Sequence, residues 1–203
     1  MIALVDYGAG NLTSVRKALT AVGADFVTPT SPAEVGDAQA VIVPGVGNFA
    51  ATSRLEDPWR KAIADAVRRG KPLLGICVGM QWLFEESEEA PGVPGLGLIA
   101  GRIARLANDP ERRLKVPHVG WNALEFRGAA RLLQGLPSKS QVYFTHSFAA
   151  PVTPECVAAT THANTFAAAV ERDNVFGVQF HPEKSSDAGL QILRNFLALC
   201  RGC

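Results

Sequence analysis

The stretch Gly75-Ile76-Cys77-Val78-Gly79 follows the apolar run Pro72-Leu73-Leu74 and leads into Met80-Gln81-Trp82-Leu83-Phe84, which reads as a helix. A cysteine at such a strand-to-helix turn has the form of a nucleophile elbow with sulfur in place of a serine oxygen, and glycines two positions to either side permit a sharp turn. At a helix N-terminus the dipole and the unpaired N–H groups favour the thiolate, the form that attacks a carbonyl. Taken alone, the segment reads equally well as a buried structural cysteine between two packing glycines. The balance changes at Val178-Gln179-Phe180-His181-Pro182-Glu183, where an apolar strand ends in a His-x-Glu pair. Strand alternation would turn His181 and Glu183 to one side, and Pro182 favours an extended or turn conformation for His181. Cys77, His181 and Glu183 then make a candidate catalytic triad. In it His181 takes the thiol proton and later protonates a leaving amine, while Glu183 holds the imidazole tautomer.

Acyl transfer also needs donors for the tetrahedral oxyanion. The N–H of Val78 supplies one, and the loop after the apolar strand Val41-Ile42-Val43-Pro44 can supply a second from Gly45, Val46 or Gly47. A plain strand-to-helix loop is the other reading of that Pro-Gly pair. No metal is expected. The cysteines at 77, 156, 200 and 203 form no disulfide framework in so long and apolar a chain, and Cys200-Arg201-Gly202-Cys203 lacks a second pair or a histidine cluster. His118, His146, His162 and His181 show no ligand-type spacing either. Gly8-x-Gly10 lacks the third glycine of a dinucleotide loop, with Thr13 in its place, so a tight turn is the better reading and no cofactor is expected.

These residues must be positioned by a fold, and the chain alternates β-type and helical stretches. Ile2 to Val5, Asp25 to Val27, Val41 to Val43 and Leu73 to Ile76 read as strands; Leu12 to Val22 and Trp59 to Arg69 read as helices. That order predicts an α/β fold: three layers, a mostly parallel doubly wound sheet with flanking helices, and the site at the strands' carboxyl ends. Asp57-Pro58 reads as an N-cap followed by proline at the first helical position, and Gly70 as the stop. The second half carries more strands, such as Phe176 to Phe180, and closes with a helix over Ala188 to Leu199 whose Leu190, Leu193 and Leu197 would line the core. The 203 residues suit a single domain, 1–203, which at this size buries ~70% of its unfolded surface. A formal net charge of +1 gives no reason to expect nucleic acid or an anionic membrane as partner. Leu73 to Phe84 is too short to span a bilayer, and the N-terminus has no basic region or cleavage site, so a cytoplasmic protein is expected.

The order of Cys, then His-Pro-Glu near the C-terminus, with Pro44-Gly45-Val46-Gly47 upstream, resembles the class I (triad) glutamine amidotransferases. Asp6-Tyr7-Gly8-Ala9-Gly10-Asn11, Pro117-His118-Val119-Gly120-Trp121-Asn122, Tyr143-Phe144-Thr145-His146-Ser147 and His181-Pro182-Glu183-Lys184-Ser185 narrow this further. They resemble the subfamily that serves as glutaminase subunits of imidazole glycerol phosphate synthase, over residues 1 to about 198. The resemblance implies that L-glutamine is hydrolysed to glutamate and that ammonia passes to a (β/α)8-barrel cyclase subunit, which makes imidazole glycerol phosphate and AICAR in histidine biosynthesis. It implies a heterodimer whose glutaminase is slow until the partner holds its own substrate. It also implies that Gln81 and Glu89 contact glutamine, with His146-Ser147-Phe148 lining the pocket mostly through backbone, and that Asn11, Lys115, Trp121, Tyr143 and Lys184 form the partner surface. Read without it, Glu85 to Glu89 is a solvated helix end; for Trp121 the alternative to the partner surface is a core residue of the second half. Two departures stand out: Val119 where the subfamily often has methionine, and Phe148 where it often has tyrosine. The other readings are an amidotransferase subunit of another pathway, or a non-catalytic or hydrolase-like member of the same scaffold.

Overall fold

The computed structural model describes residues 1–200. In the first half, strands and helices alternate: β1 (Ile2–Leu4), α1 (Leu12–Ala21), β2 (Phe26–Val27), α2 (Pro32–Asp37), β3 (Ala40–Gly45), α3 (Asp57–Arg68), β4 (Leu73–Cys77) and α4 (Val78–Trp82). The second half is richer in strand: β5 (Glu86–Ser87), β6 (Arg102–Arg105), β7 (His118–Ala123), β8 (Glu125–Phe126), β9 (Gln141–His146), β10 (Phe148–Ala149), β11 (Cys156–His162), β12 (Asn164–Arg172), β13 (Val175–Val178) and finally α5 (Ser186–Cys200). The central sheet has the order β2-β1-β3-β4-β13-β12-β11-β8. Its members from β2 to β13 run parallel, and β12, β11 and β8 extend it antiparallel.

The parallel strands are apolar at every position because both of their faces are covered. Alternate residues therefore feed two separate cores. Ile2, Leu4, Ile42, Leu74 and Ile76 pack with Leu12, Val15 and Leu19 of α1 and with Ile192, Leu193 and Phe196 of α5. Val5, Val41, Val43 and Leu73 pack on the other side with Val35 of α2 and with Ile63 and Ala66 of α3. Helix, sheet, helix is the three-layer doubly wound architecture that the alternation predicts.

Local details differ from expectation in two places. The residue before α3 is Glu56, which makes no side-chain cap, and Asp57 lies inside the first turn. Its carboxylate there favours the positive end of the helix dipole rather than capping a particular N–H. In α5 the buried stripe is Gly189, Ile192, Leu193, Phe196 and Cys200, while Leu190 and Leu197 flank it half-buried. The stripe begins at a glycine because α5 crosses the chain closely: a Cβ on Gly189 would lie 1.9 Å from the carbonyl oxygen of Pro182. Among the described residues, no helix is long and apolar enough to cross a membrane.

Candidate active site

Cys77 ends β4 directly opposite Gly45 of β3, so the elbow and the Gly45-Val46-Gly47 loop leave the sheet side by side. Its backbone sits at φ 54 and ψ −110. The left-handed turn is thus carried by the cysteine itself and not by the flanking glycines; strain of this kind costs of order 1–3 kcal/mol and gathers at active sites. The glycines supply room instead. A Cβ on Gly79 would lie 1.8 Å from the carbonyl oxygen of Val43, and one on Gly75 would lie 2.5 Å from that of Gly79. Cys77 is only 3% exposed.

β13 runs parallel to β4 with Val178 opposite Ile76, so the residues after Val178 emerge level with Cys77. His181 is 1% exposed and its Nδ1 donates to Glu183 Oε1 at 2.8 Å. The two do not meet by strand alternation: Pro182–Lys184 forms a 3-10 turn that curls Glu183 back under the imidazole. Proline starts that turn because its fixed φ suits a first helical position. Ser185 Oγ braces the turn by donating to His181 O at 2.6 Å and accepting from Tyr143 N–H at 2.9 Å, while His181 N–H donates to Tyr143 O at 2.9 Å. Burial acts to lower the imidazole pKa, but the Cys77 sulfur and the Glu183 carboxylate raise it more, to about 10. Nε2 nonetheless has no partner in hydrogen-bonding geometry among the described residues. The Cys77 sulfur therefore influences the ring from nearby without standing in hydrogen-bonding geometry to Nε2.

Three further groups close around the sulfur. Tyr7 is buried with its hydroxyl unpartnered among the described residues and packed against Gly45; burial, then the charge of Cys77, pushes its pKa up. Gln81, 2% exposed, donates from Nε2 to Phe148 O at 2.8 Å and to Gln179 Oε1 at 3.1 Å. Gln179 in turn donates from Nε2 to Cys77 Sγ at 3.7 Å. Its place was readable: a polar residue in the apolar run Val178–Phe180, two before His181 and so on the same side of an extended chain.

The other residues singled out by sequence divide. Glu89 is not on a helix end but follows β5, where its Oε2 accepts from Phe49 N–H at 2.8 Å, just beyond the Gly45–Gly47 loop. Burial raises its carboxyl pKa and that hydrogen bond partly offsets the rise. His146, Ser147 and Phe148 span the break between β9 and β10, and the Phe148 carbonyl is the group that Gln81 meets. Three of the histidines, far apart in sequence, come together: His118 Nδ1 lies 3.1 Å from His146 Nε2, and His118 stacks on His162 with ring centroids 4.2 Å apart. Burial lowers the pKa of His118 to about 4, helped by His162, and burial lowers that of His146 to about 3, against the hydrogen bond to Phe148 O and helped by His118, His162 and His181. His118 bonds to His146 and to the Asn122 side chain, while His146 and His162 each bond to a backbone carbonyl. Among the described residues no group of three or more His, Cys, Asp or Glu is placed to hold a metal ion. Cys203 lies outside the described residues.

Trp121 is 52% exposed and thus is not a core residue. It pairs with Tyr143 across β7 and β9, and Lys184 Nζ lies 5.7 Å from the centre of the Tyr143 ring. Lys115 and Asn11 are exposed as well, Asn11 as the cap of α1. Lys184 directly follows Glu183, so this aromatic and basic surface adjoins the turn that bears His181 and Glu183.

The glutamine amidotransferase class-I family model matches residues 3–200. The chain belongs to the class-I glutamine amidotransferase family. It is 45% identical to imidazole glycerol phosphate synthase subunit HisH of Pyrococcus furiosus, covering 98% of both chains. It is 49% identical to the subunit of that name from Thermosynechococcus vestitus, covering 98% of this chain and 97% of the relative. A crystal structure titled glutamine amidotransferase superposes with a TM-score of 0.76 at 20% identity over 98% of both chains. The structure of PurLQS from Thermotoga maritima gives a TM-score of 0.70 at 20% identity over 97% of both chains. Those two similarities speak for the fold; the family model and the closer relatives carry the membership. In a class-I amidotransferase, a buried cysteine on a strained elbow beside an imidazole–carboxylate pair is the constellation that acyl transfer from an amide requires.

Proposed function

We propose that this chain is the glutaminase subunit of an imidazole glycerol phosphate synthase, with L-glutamine as substrate and a (β/α)8-barrel cyclase as its partner in a heterodimer. The observation that carries the chemistry is the arrangement of Cys77 on its elbow with His181 oriented by Glu183 at 2.8 Å. The pathway assignment is supported by the named relatives at 45–49% identity over nearly whole chains.

In this mechanism His181 Nε2 takes the thiol proton, and the sulfur attacks the side-chain amide carbon of glutamine. The N–H of Val78 and one from the Gly45–Gly47 loop receive the oxyanion. Collapse breaks the C–N bond as His181 returns the proton to nitrogen; ammonia leaves and a γ-glutamyl thioester remains on Cys77. Water then attacks with His181 again as base, releasing glutamate and regenerating the thiol. Gln81 Oε1 is buried and unpartnered among the described residues, which suits an acceptor for a substrate N–H. Glu89 offers carboxylate oxygens to the α-ammonium group. The surface of Trp121, Tyr143, Lys184, Lys115 and Asn11 takes the cyclase, with aromatic anchors and a basic rim.

The test uses the complex reconstituted with its cyclase. Cys77→Ala should remove glutamine-dependent synthesis while synthesis from added ammonium salts persists. Unchanged glutaminase in the variant would exclude Cys77 as nucleophile.

A further inference from the structure

The elbow, His181 and Glu183 leave one polar contact of the sulfur unassigned: the side-chain amide of Gln179, wholly buried, with Nε2 3.7 Å from Cys77 Sγ. An amide can present either end, and here its neighbours decide which. Phe148 O has only lone pairs, so the Gln81 nitrogen must face it at 2.8 Å. That nitrogen also lies 3.1 Å from Gln179, and only the Gln179 oxygen can accept from it. The Gln179 nitrogen is thereby turned to the sulfur as a donor.

The lock extends further. His146 Nδ1, 2.9 Å from the same Phe148 carbonyl, must carry a hydrogen, which leaves Nε2 as acceptor for His118 Nδ1 at 3.1 Å. His118 Nε2 then accepts from Asn122 Nδ2 at 3.3 Å, and Asn122 is itself oriented by Ala123 N–H donating to its Oδ1. Two donor runs thus meet at the Phe148 carbonyl, one from Asn122 through His118 and His146 and the other from Gln81, and from Gln81 the donor direction continues through Gln179 to the sulfur.

We propose that Gln179 is a further catalytic residue, whose amide N–H stabilises the Cys77 thiolate both as it forms and when it is expelled from the thioester. This rests on Cys77 being the nucleophile. An N–H bond to a charged acceptor is about twice as strong as one to a neutral acceptor, so the contact tightens as charge appears on sulfur. The same geometry gives Gln81 a double task. With its nitrogen committed to Phe148 and Gln179, its oxygen alone faces substrate, and a substrate donor there polarises the amide chain toward the sulfur. The other titratable groups around Cys77 are Tyr7, His181 with Glu183, and His146 behind them. The Tyr7 hydroxyl also stays a neutral donor, but it is not in hydrogen-bonding geometry with the sulfur, whereas the Gln179 amide is.

The test compares wild type with Gln179→Met, of similar length but without a donor, and Gln179→Asn, which keeps the amide one methylene back. Rates of Cys77 alkylation by iodoacetamide are followed against pH, and kcat and KM for glutamine are measured in the assembled complex. Gln179→Met should move the alkylation midpoint up by about one pH unit or more and lower kcat about 10- to 100-fold with little change in KM; Gln179→Asn should fall between. Midpoints and kcat equal to wild type would overturn the proposal, as would a rise in KM alone. Should Gln179→Met fail to fold, the ¹⁵N side-chain resonance of Gln179 in wild-type protein decides: it should shift with the pH titration of Cys77 and lose that shift in Cys77→Ser. A signal blind to Cys77 would equally overturn it. Absence of Cys77-dependent glutaminase in the wild-type complex would instead refute the nucleophile assignment on which the inference stands.

Discussion

Cys77 holds two properties that ordinarily exclude one another, a left-handed backbone and almost complete burial. The strain persists because Gly75 and Gly79 let β3, β4 and α4 close to distances that no side chain allows. Gly79→Ala should accordingly lose about 1–3 kcal/mol or more of stability, read by denaturant unfolding, and lose glutaminase along with it, since Val43 and the elbow must part to admit the methyl. A variant as stable and active as wild type would mean that the elbow is not fixed by this contact. Within the proposed triad the roles are unequal. His181→Ala should lower kcat by about 10²–10⁴, whereas Glu183→Gln, which leaves an amide oxygen to accept from Nδ1, should cost less. Equal losses would show Glu183 doing more than orienting. The proximity of His181 and Glu183 and the elbow at Cys77 could be anticipated from the sequence because elbow glycines and a His-x-Glu leave marks in the order of residues. The contact of Gln179 with Cys77 could not, since no motif marks it and it depends on the register of β13 against β4.

At the scale of elements, β9 and the turn after β13 act as one piece. Tyr143 gives its carbonyl to His181 N–H and its own N–H to Ser185 Oγ, so the strand bearing the aromatic surface is tied at both ends of the catalytic turn. Ser185→Ala should leave the Tyr143 N–H buried without its partner, costing about 1–3 kcal/mol in unfolding experiments, and should reduce partner-stimulated glutaminase more than cyclase binding. An unchanged response to the partner would disconnect β9 from His181. The sequence marks the strands of the parallel half plainly, because apolar runs between helical stretches have few other readings. It misplaces the origin of the His181–Glu183 pairing, which period-two alternation suggests and a 3-10 turn achieves; a proline between two polar residues is compatible with both. The core face of α5 was likewise obscured by its leucines, because Gly189 begins the stripe where a larger residue would prevent close approach to Pro182.

For the whole molecule, the buried histidines set opposite pH limits. His118 and His146 have folded pKa values of about 4 and about 3, below the ordinary 6.5, so the unfolded chain binds more protons there and stability falls as pH drops through 6.5 toward those values. His181 is raised to about 10, so its contribution is complete below 6.5 and is lost as pH climbs through about 10. Melting temperature should therefore peak between these limits, and one that rises on acidification below about 6 would contradict the neutral histidine cluster. The three-layer architecture that holds these groups was legible in the alternation of strand and helix. The clustering of His118, His146 and His162 was not, because it is made by β7, β9 and β11 meeting in space. The central claim is that Cys77 becomes acylated by glutamine. Rapid acid quench of the wild-type complex turning over glutamine, followed by peptide mass spectrometry, tests it most directly: the peptide containing Cys77 should carry one γ-glutamyl unit, absent in Cys77→Ala and accumulating if water attack is slowed. Steady glutamate release with that peptide unmodified throughout, and undiminished in Cys77→Ala, would contradict the account.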